Sequence, residues 1–163
     1  MRFGQVHIFP LQVDFDLLDA GGVVHHPSYL VLCERARVAA MEDAGFPFGK
    51  LWEQGYSFAL VDTKSKYFKA ALLGQHFVMI TRCLGATGAS MTLEQEMLTL
   101  KPGALLLRGY QTTLNAEMVA DKFFWIEMRV ASIRLNPIKA VRLPQSVIDA
   151  FHLPAPKISK TNA

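Results

Sequence analysis

Asp19 stands two residues before a glycine pair, Gly21-Gly22, and the run Val23-Val24-His25-His26-Pro27 then leads directly into a helix start. Paired glycines let a backbone approach a ligand closely. The first amides of a helix lack internal acceptors and lie at the positive end of its dipole, so they can hold an oxyanion. A carboxylate beside them can activate water or attack a carbonyl itself. Such parts suit acyl transfer to water. The same aspartate can instead cap the helix or organise the Gly-Gly turn, which is ordinary turn chemistry. His26 is either a hydrogen-bonded residue of the helix start or a polar group of the site. Adjacent histidines diverge, and no i, i+4 ligand pair joins His25 and His26 to Asp19, so neither a metal nor a cofactor is expected.

The elements that position this loop are readable from periodicity. Val6 and Ile8 share one face, and after Pro10 the apolar set becomes Leu11, Val13 and Phe15, which predicts a bulged or edge strand over residues 5–15. Pro27 fits the first turn of a helix over residues 28–44, where its missing N–H costs nothing. Tyr29, Cys33, Ala36, Ala40 and Ala44 form one stripe of that helix, small enough for a sheet to wrap closely around it. Gly45 and Pro47 stop it, and residues 48–54 can add one more turn. Residues 57–69, 75–86, 89–99 and 123–135 are β-branched and aromatic runs separated by turn signals. Residues 104–114 could be a strand, and 115–121 a loop or short helix. Leu105, Leu106 and Leu107 could form an extra strand, an oligomer contact or a cover over an acyl channel. One long helix followed by strands, without βαβ alternation, argues for an α+β fold with an antiparallel sheet.

With 163 residues the chain suits one domain, expected over residues 1–153, followed by a flexible polar tail over 154–163. A hydrophobic content of 51% against 19% charged residues excludes a disordered or disulfide-scaffold protein. It also leaves more apolar side chains than a lone small domain hides, which favours an oligomer. The net charge of +3 would suit an anionic small molecule but is no nucleic-acid footprint. Cys33 and Cys83 read as reduced thiols, Cys33 as a small core residue. Glu34, Arg35 and Arg37 are favoured as structural, either helix surface charges or a buried pair supporting the loop. No stretch of eighteen apolar residues predicts a membrane span, and the N-terminus lacks a signal-peptide pattern, so a cytoplasmic protein is expected.

Residues 13–30, continuing to Cys33-Glu34-Arg35-Ala36-Arg37, resemble the signature of hotdog-fold acyl-CoA thioesterases. The similarity is closest to the 4-hydroxybenzoyl-CoA thioesterase family, including its Tol–Pal-associated short-chain branch. That signature runs as an aspartate, two variable residues, Gly-Val-Val, an aromatic, His, then Asn-Tyr-Leu and Glu-Arg-Ala-Arg. Weaker similarity continues through residues 65–70, 89–96 and 124–137. The resemblance implies an antiparallel sheet wrapped around one long central helix, and dimers, or tetramers of them, that build the sites at their interface. It implies hydrolysis of a thioester of CoA or an acyl carrier protein. Asp19 matches the catalytic carboxylate, as base or nucleophile, and His26 the histidine of the Tol–Pal-associated branch. Gly21, Gly22, Val24 and His25 match the substrate-binding loop whose amides face the thioester oxygen. Lys66 and Lys69 could capture CoA phosphates, or be lysines that protect a strand edge.

The chain departs from the family pattern in three places. Phe15 stands where a tyrosine is usual, with Leu17-Leu18 in place of Asp-Thr; His25-His26-Pro27-Ser28 replaces Tyr-His-Ala-Asn; and Leu100–Lys122 is longer than the short hairpin expected between the last two strands. The missing tyrosine and Asp-Thr positions motivate a second reading, a non-catalytic hotdog protein that binds acyl groups or serves in assembly. An acyl-thioester dehydratase would need a differently placed His–acid pair, which the sequence lacks.

Overall fold

A computed structural model describes residues 4–112 and 114–151. In chain order it contains β1 (Val6–Gln12), α1 (Ser28–Asp43), α2 (Phe48–Glu53), β2 (Tyr56–Tyr67), β3 (His76–Ala86), β4 (Ser90–Leu100), β5 (Gly109–Gln111), β6 (Val119–Leu135), β7 (Ile138–Ala140) and α3 (Gln145–Phe151). One antiparallel sheet runs in the order β2-β6-β4-β3-β1-β5, with β7 paired to the end of β6. The expected tail at 154–163 lies outside the described residues.

The alanine stripe does what its small side chains allow. Tyr29, Leu32, Cys33, Ala36, Ala40 and Met41 of α1 are buried against one face of the sheet, where Met79, Leu93, Met97, Phe124, Ile126 and Met128 meet them. Ala44 is half-buried at the end of that stripe. The helix closes with Gly45 at φ +79°, its amide donating to Glu42 O at 2.9 Å while Phe46 N–H reaches Met41 O at 3.0 Å. This crossed pair satisfies the last carbonyls, and only glycine takes that φ without strain.

Beneath α1 lies a polar ladder. The Gln95 amide nitrogen donates to Cys33 O at 3.0 Å and to Thr81 Oγ1 at 2.9 Å, which turns its oxygen toward Arg37, 3.0 Å away. At the far end of the helix, Asp43 accepts from His7 Nε2 at 2.8 Å and from Arg108 Nε and Nη2, both at 2.9 Å. Burial places Cys33 and Cys83 in the interior as free thiols. No helix among the described residues is long and apolar enough to cross a membrane.

The structure decides between two readings and changes two others. Of the bulged and edge readings of β1 the edge holds, because β1 pairs with β3 in continuous register from Val6 to Gln12. The proline is tolerated because β5 covers only Val6 to Ile8 on the other side, which leaves Pro10 on a free edge. The strand expected over 104–114 shrinks to Gly109–Gln111. Leu106 instead joins Val6, Ile8, Val78, Ile80 and Leu98 in a second apolar cluster on the sheet face away from α1. The three leucines are thus neither a strand nor a lid over the helix side; Leu106 anchors a cover on the outer face, with Leu105 and Leu107 exposed. The last long strand begins at Val119 rather than 123, since Val119, Asp121 and Lys122 pair with the end of β4 through bulges.

Candidate active site

The chain between β1 and α1 is held at both ends by the sheet connection that follows β2. Val24 N–H donates to Ala71 O at 2.9 Å, Val23 bridges Leu72, and Val13 N–H donates to Gln75 O at 3.0 Å. Inside this frame Leu18 bridges Val24, and a four-residue turn closes from Gly22 N–H to Asp19 O at 3.0 Å, with Gly22 at φ +75°. Asp19 Oδ1 accepts from Gly21 N–H at 2.8 Å, so the carboxylate shapes its own turn and does not cap α1. A Cβ on Gly21 would lie 3.1 Å from that oxygen, tight enough to push the carboxylate aside. Asp19 is exposed, and Oδ2 makes no hydrogen bond among the described residues. It therefore keeps a free lone-pair edge for a water or a carbonyl carbon.

The amide supply of the loop is narrower than the sequence suggests. Gly21 N–H serves Asp19 Oδ1, Gly22 N–H serves Asp19 O, Val24 N–H serves Ala71 O, and His25 N–H serves Leu17 O at 2.9 Å. Ser28 N–H is taken by His25 O at 2.8 Å. Among the described residues the Ala20, Val23, His26 and Tyr29 amides make no backbone hydrogen bond. The last two, at the start of α1, lie at the positive end of its dipole and can serve an oxyanion.

His26, Val24 and Lys69 line one open cavity of about 300 Å³ with Tyr29, Tyr67 and Phe68. Asp19, Gly21, Gly22 and His25 lie on the same loop but outside that lining, and Lys66 is on β2 opposite Trp125. The His25 and His26 rings meet edge to face with centroids 4.7 Å apart. Lys69 pairs with Asp121 at 2.6 Å, both half exposed, an ion pair that solvent screens and an incoming phosphate can exchange. The sequence reading missed Tyr29 and Tyr67 as lining residues. Their rings pack edge to face at 5.3 Å, both contact Phe124, and Tyr67 OH reaches His26 O at 3.4 Å. The signal available was the position of Tyr67 beside Lys66 and Lys69, on the strand face opposite Lys66.

Cys33 is fully buried, and burial pushes its thiol up to about 12, so it is a packing residue and not a nucleophile. Among the described residues no group of three His, Cys, Asp or Glu side chains could hold a metal ion.

A sheet curled around one alanine-lined helix, with a carboxylate turn at the helix entrance, defines a hotdog-fold α+β protein. The chain belongs to the thioesterase superfamily, whose family model matches residues 21–105. It is 29% identical over 145 residues to the acyl-CoA thioesterase YbgC of Haemophilus influenzae, covering 88% of this chain and 93% of that protein. The Escherichia coli acyl-CoA thioester hydrolase YbgC is 25% identical over the same lengths. Among solved structures the fold matches the 1,4-dihydroxy-2-naphthoyl-CoA thioesterase Slr0204 of Synechocystis with a TM-score of 0.73 at 17% identity, over 90% of this chain and 96% of that one. The DHNA-CoA thioesterase of Staphylococcus aureus matches with a TM-score of 0.73 at 16% identity, over 90% and 89%.

Proposed function

We propose that this protein hydrolyses an acyl-CoA thioester to the free acid and CoA, with Asp19 as general base or nucleophile. The observation that carries the reading is the Asp19 turn. One carboxylate oxygen is fixed by Gly21 N–H, the other is free, and the chain runs on within seven residues to an unpaired amide at the start of α1. The His26 amide, with that of Tyr29, polarises the thioester carbonyl; Asp19 takes a proton from water or attacks the carbonyl carbon. The thiolate of CoA is a good leaving group, so His26 need only orient the site or assist proton transfer. Lys69 at the cavity mouth, with Lys66 further along β2, supplies charge for the phosphates of CoA. The names of the Haemophilus influenzae and Escherichia coli relatives support CoA as the carrier.

The crevice is incomplete in one chain, since Asp19 lines none of the cavities described. We assign the missing wall to a second copy, in a homodimer or a homotetramer. The free edge of β2, with exposed Leu60 and Val61 beside exposed Leu30 and Val31 of α1, supports that assignment. The two free thiols fit a cytoplasmic protein.

Release of CoA thiol from short, long and aryl acyl-CoAs, measured on protein whose mass in solution is determined alongside, tests the reading. Turnover of at least one class by a dimer or larger assembly is expected. No turnover with any substrate would favour an acyl-binding module, for which the departures at Phe15, Leu17 and Leu18 argue.

A further inference from the structure

The segment that carries Asp19 hangs from two points on one turn. At its start, Val13 N–H donates to Gln75 O at 3.0 Å and Gly74 N–H donates to Val13 O at 2.9 Å. At its end, Val24 N–H donates to Ala71 O at 2.9 Å, beside the bridge between Val23 and Leu72. The width of the turn from Ala71 to Gln75 therefore sets the spacing of Val13 and Val24, and with it the course of residues 14–23 between them.

Little else in the chain holds that turn in shape. Its backbone closure, Gln75 N–H to Leu72 O, is long at 3.2 Å, with Gly74 at φ +76°. Leu72 and Leu73 are 47% and 55% exposed, so packing within the chain fixes only Ala71, which is fully buried. The remaining tie is a side chain: Gln75 Oε1 accepts from Leu72 N–H at 2.9 Å. It crosses the turn in the opposite sense to the backbone bond, and the two together close a ring that resists splaying. The side chain is half-buried, and Gln75 lies outside the lining of the cavity at the start of α1.

We propose that Gln75 is a positioning residue for the active site, its side chain holding the turn at the width that keeps the Asp19 carboxylate in register with the His26 amide. The role rests on the hydrolase reading, and Gln75 touches no reacting atom. Its effect is geometric, since displacing a reacting group by about 1 Å can cost roughly a hundredfold in rate. The bond itself is solvent-exposed, so Tm should change little when it is lost.

Steady-state hydrolysis of acyl-CoA, with amide hydrogen exchange on the same samples, tests the role. Gln75→Leu removes the acceptor at similar size, and Gln75→Glu keeps it. Gln75→Leu should lower kcat about threefold to tenfold, the range one hydrogen bond is worth, with KM nearly unchanged because no cavity wall is touched. Gln75→Glu should return kcat to near the wild-type value; a purely packing role predicts the reverse order, since leucine fills apolar space better than a carboxylate. The Val13 and Val24 amides should exchange faster by a similar factor in Gln75→Leu, while Met97 in β4 keeps its rate. Should Gln75→Leu fail to fold, Gln75→Ala takes its place with the same expectations. Equal kcat in Gln75→Leu and wild type, no recovery in Gln75→Glu, or unchanged exchange at Val24 overturns the role. Wild-type protein inactive toward every acyl-CoA refutes the hydrolase reading instead, and the positioning role falls with it.

Discussion

Replacing Asp43 with asparagine keeps the shape of the side chain and removes the charge on which three elements converge. Asp43 ends α1, His7 comes from β1, and Arg108 comes from the segment between β4 and β5. His7 is fully buried, its Nε2 faces Asp43 at 2.8 Å, and its Nδ1 has no hydrogen-bond partner among the described residues. Burial holds the His7 pKa below its usual value, and Arg108 first, then His7, holds Asp43 below the carboxylate range. Three hydrogen bonds to a charged carboxylate would be worth about 1.5–3 kcal/mol each if buried. Arg108 is 42% exposed, so its two contacts must be discounted for solvent screening. A loss of about 2–3 kcal/mol remains, which for a chain this size lowers Tm by roughly 5–10 °C. Both shifts are downward, so the unfolded chain binds more protons on acidification. Wild-type stability should therefore be full above pH ~6.5, fall as His7 is forced to charge, and fall again below ~4 as Asp43 protonates. Thermal unfolding of wild type and Asp43→Asn from pH 8 to 4 is the assay. An unchanged Tm at pH 7.5, or a wild-type profile flat between pH 7 and 5, would refute the reasoning.

Gln95→Leu should cost about 3–5 kcal/mol in chemical denaturation, because it strands the Arg37 charge, the Cys33 carbonyl and the Thr81 hydroxyl under α1. Leu106→Ala should cost about 2–3 kcal/mol and expose the segment after Lys101 to limited proteolysis, while catalysis at the α1 entrance changes little. Gly21→Ala should lower kcat at least about tenfold with KM nearly kept, because the added methyl displaces the Asp19 carboxylate and touches no cavity wall.

The parts of this fold that were legible are those where one periodicity served one partner. The stripe from Tyr29 to Ala44 gave α1 within a residue at its end, because every small residue in it meets the same sheet face. The loop from Asp19 to Pro27 was legible as a turn followed by a helix start. Its hydrogen-bond use was not, since the partners Ala71 and Leu17 are set by chain crossings that spacing does not encode. Residues 101–118 resisted reading for a related reason: Leu106, Leu114 and Met118 reach the outer sheet face from a segment largely without regular structure, so no single period marks them. The start of β6 was hidden by Asp121 and Lys122, which are exposed and polar yet held by pairing to β4, with Ala120 skipped at a register shift. Helix α3 buries Val147 in the core and Phe151 against Phe46 and went unread, because seven residues are too few to show a helical period.

The steady-state hydrolysis of acyl-CoA by Asp19→Asn, set beside wild type on the same substrate and at the same state of assembly, tests the central claim most directly. A loss of about 10²–10⁴ in kcat, with fold and Tm retained, is what a carboxylate acting as base or nucleophile requires. Equal turnover by the two proteins would contradict it and leave Asp19 as no more than the residue that shapes the Gly-Gly turn.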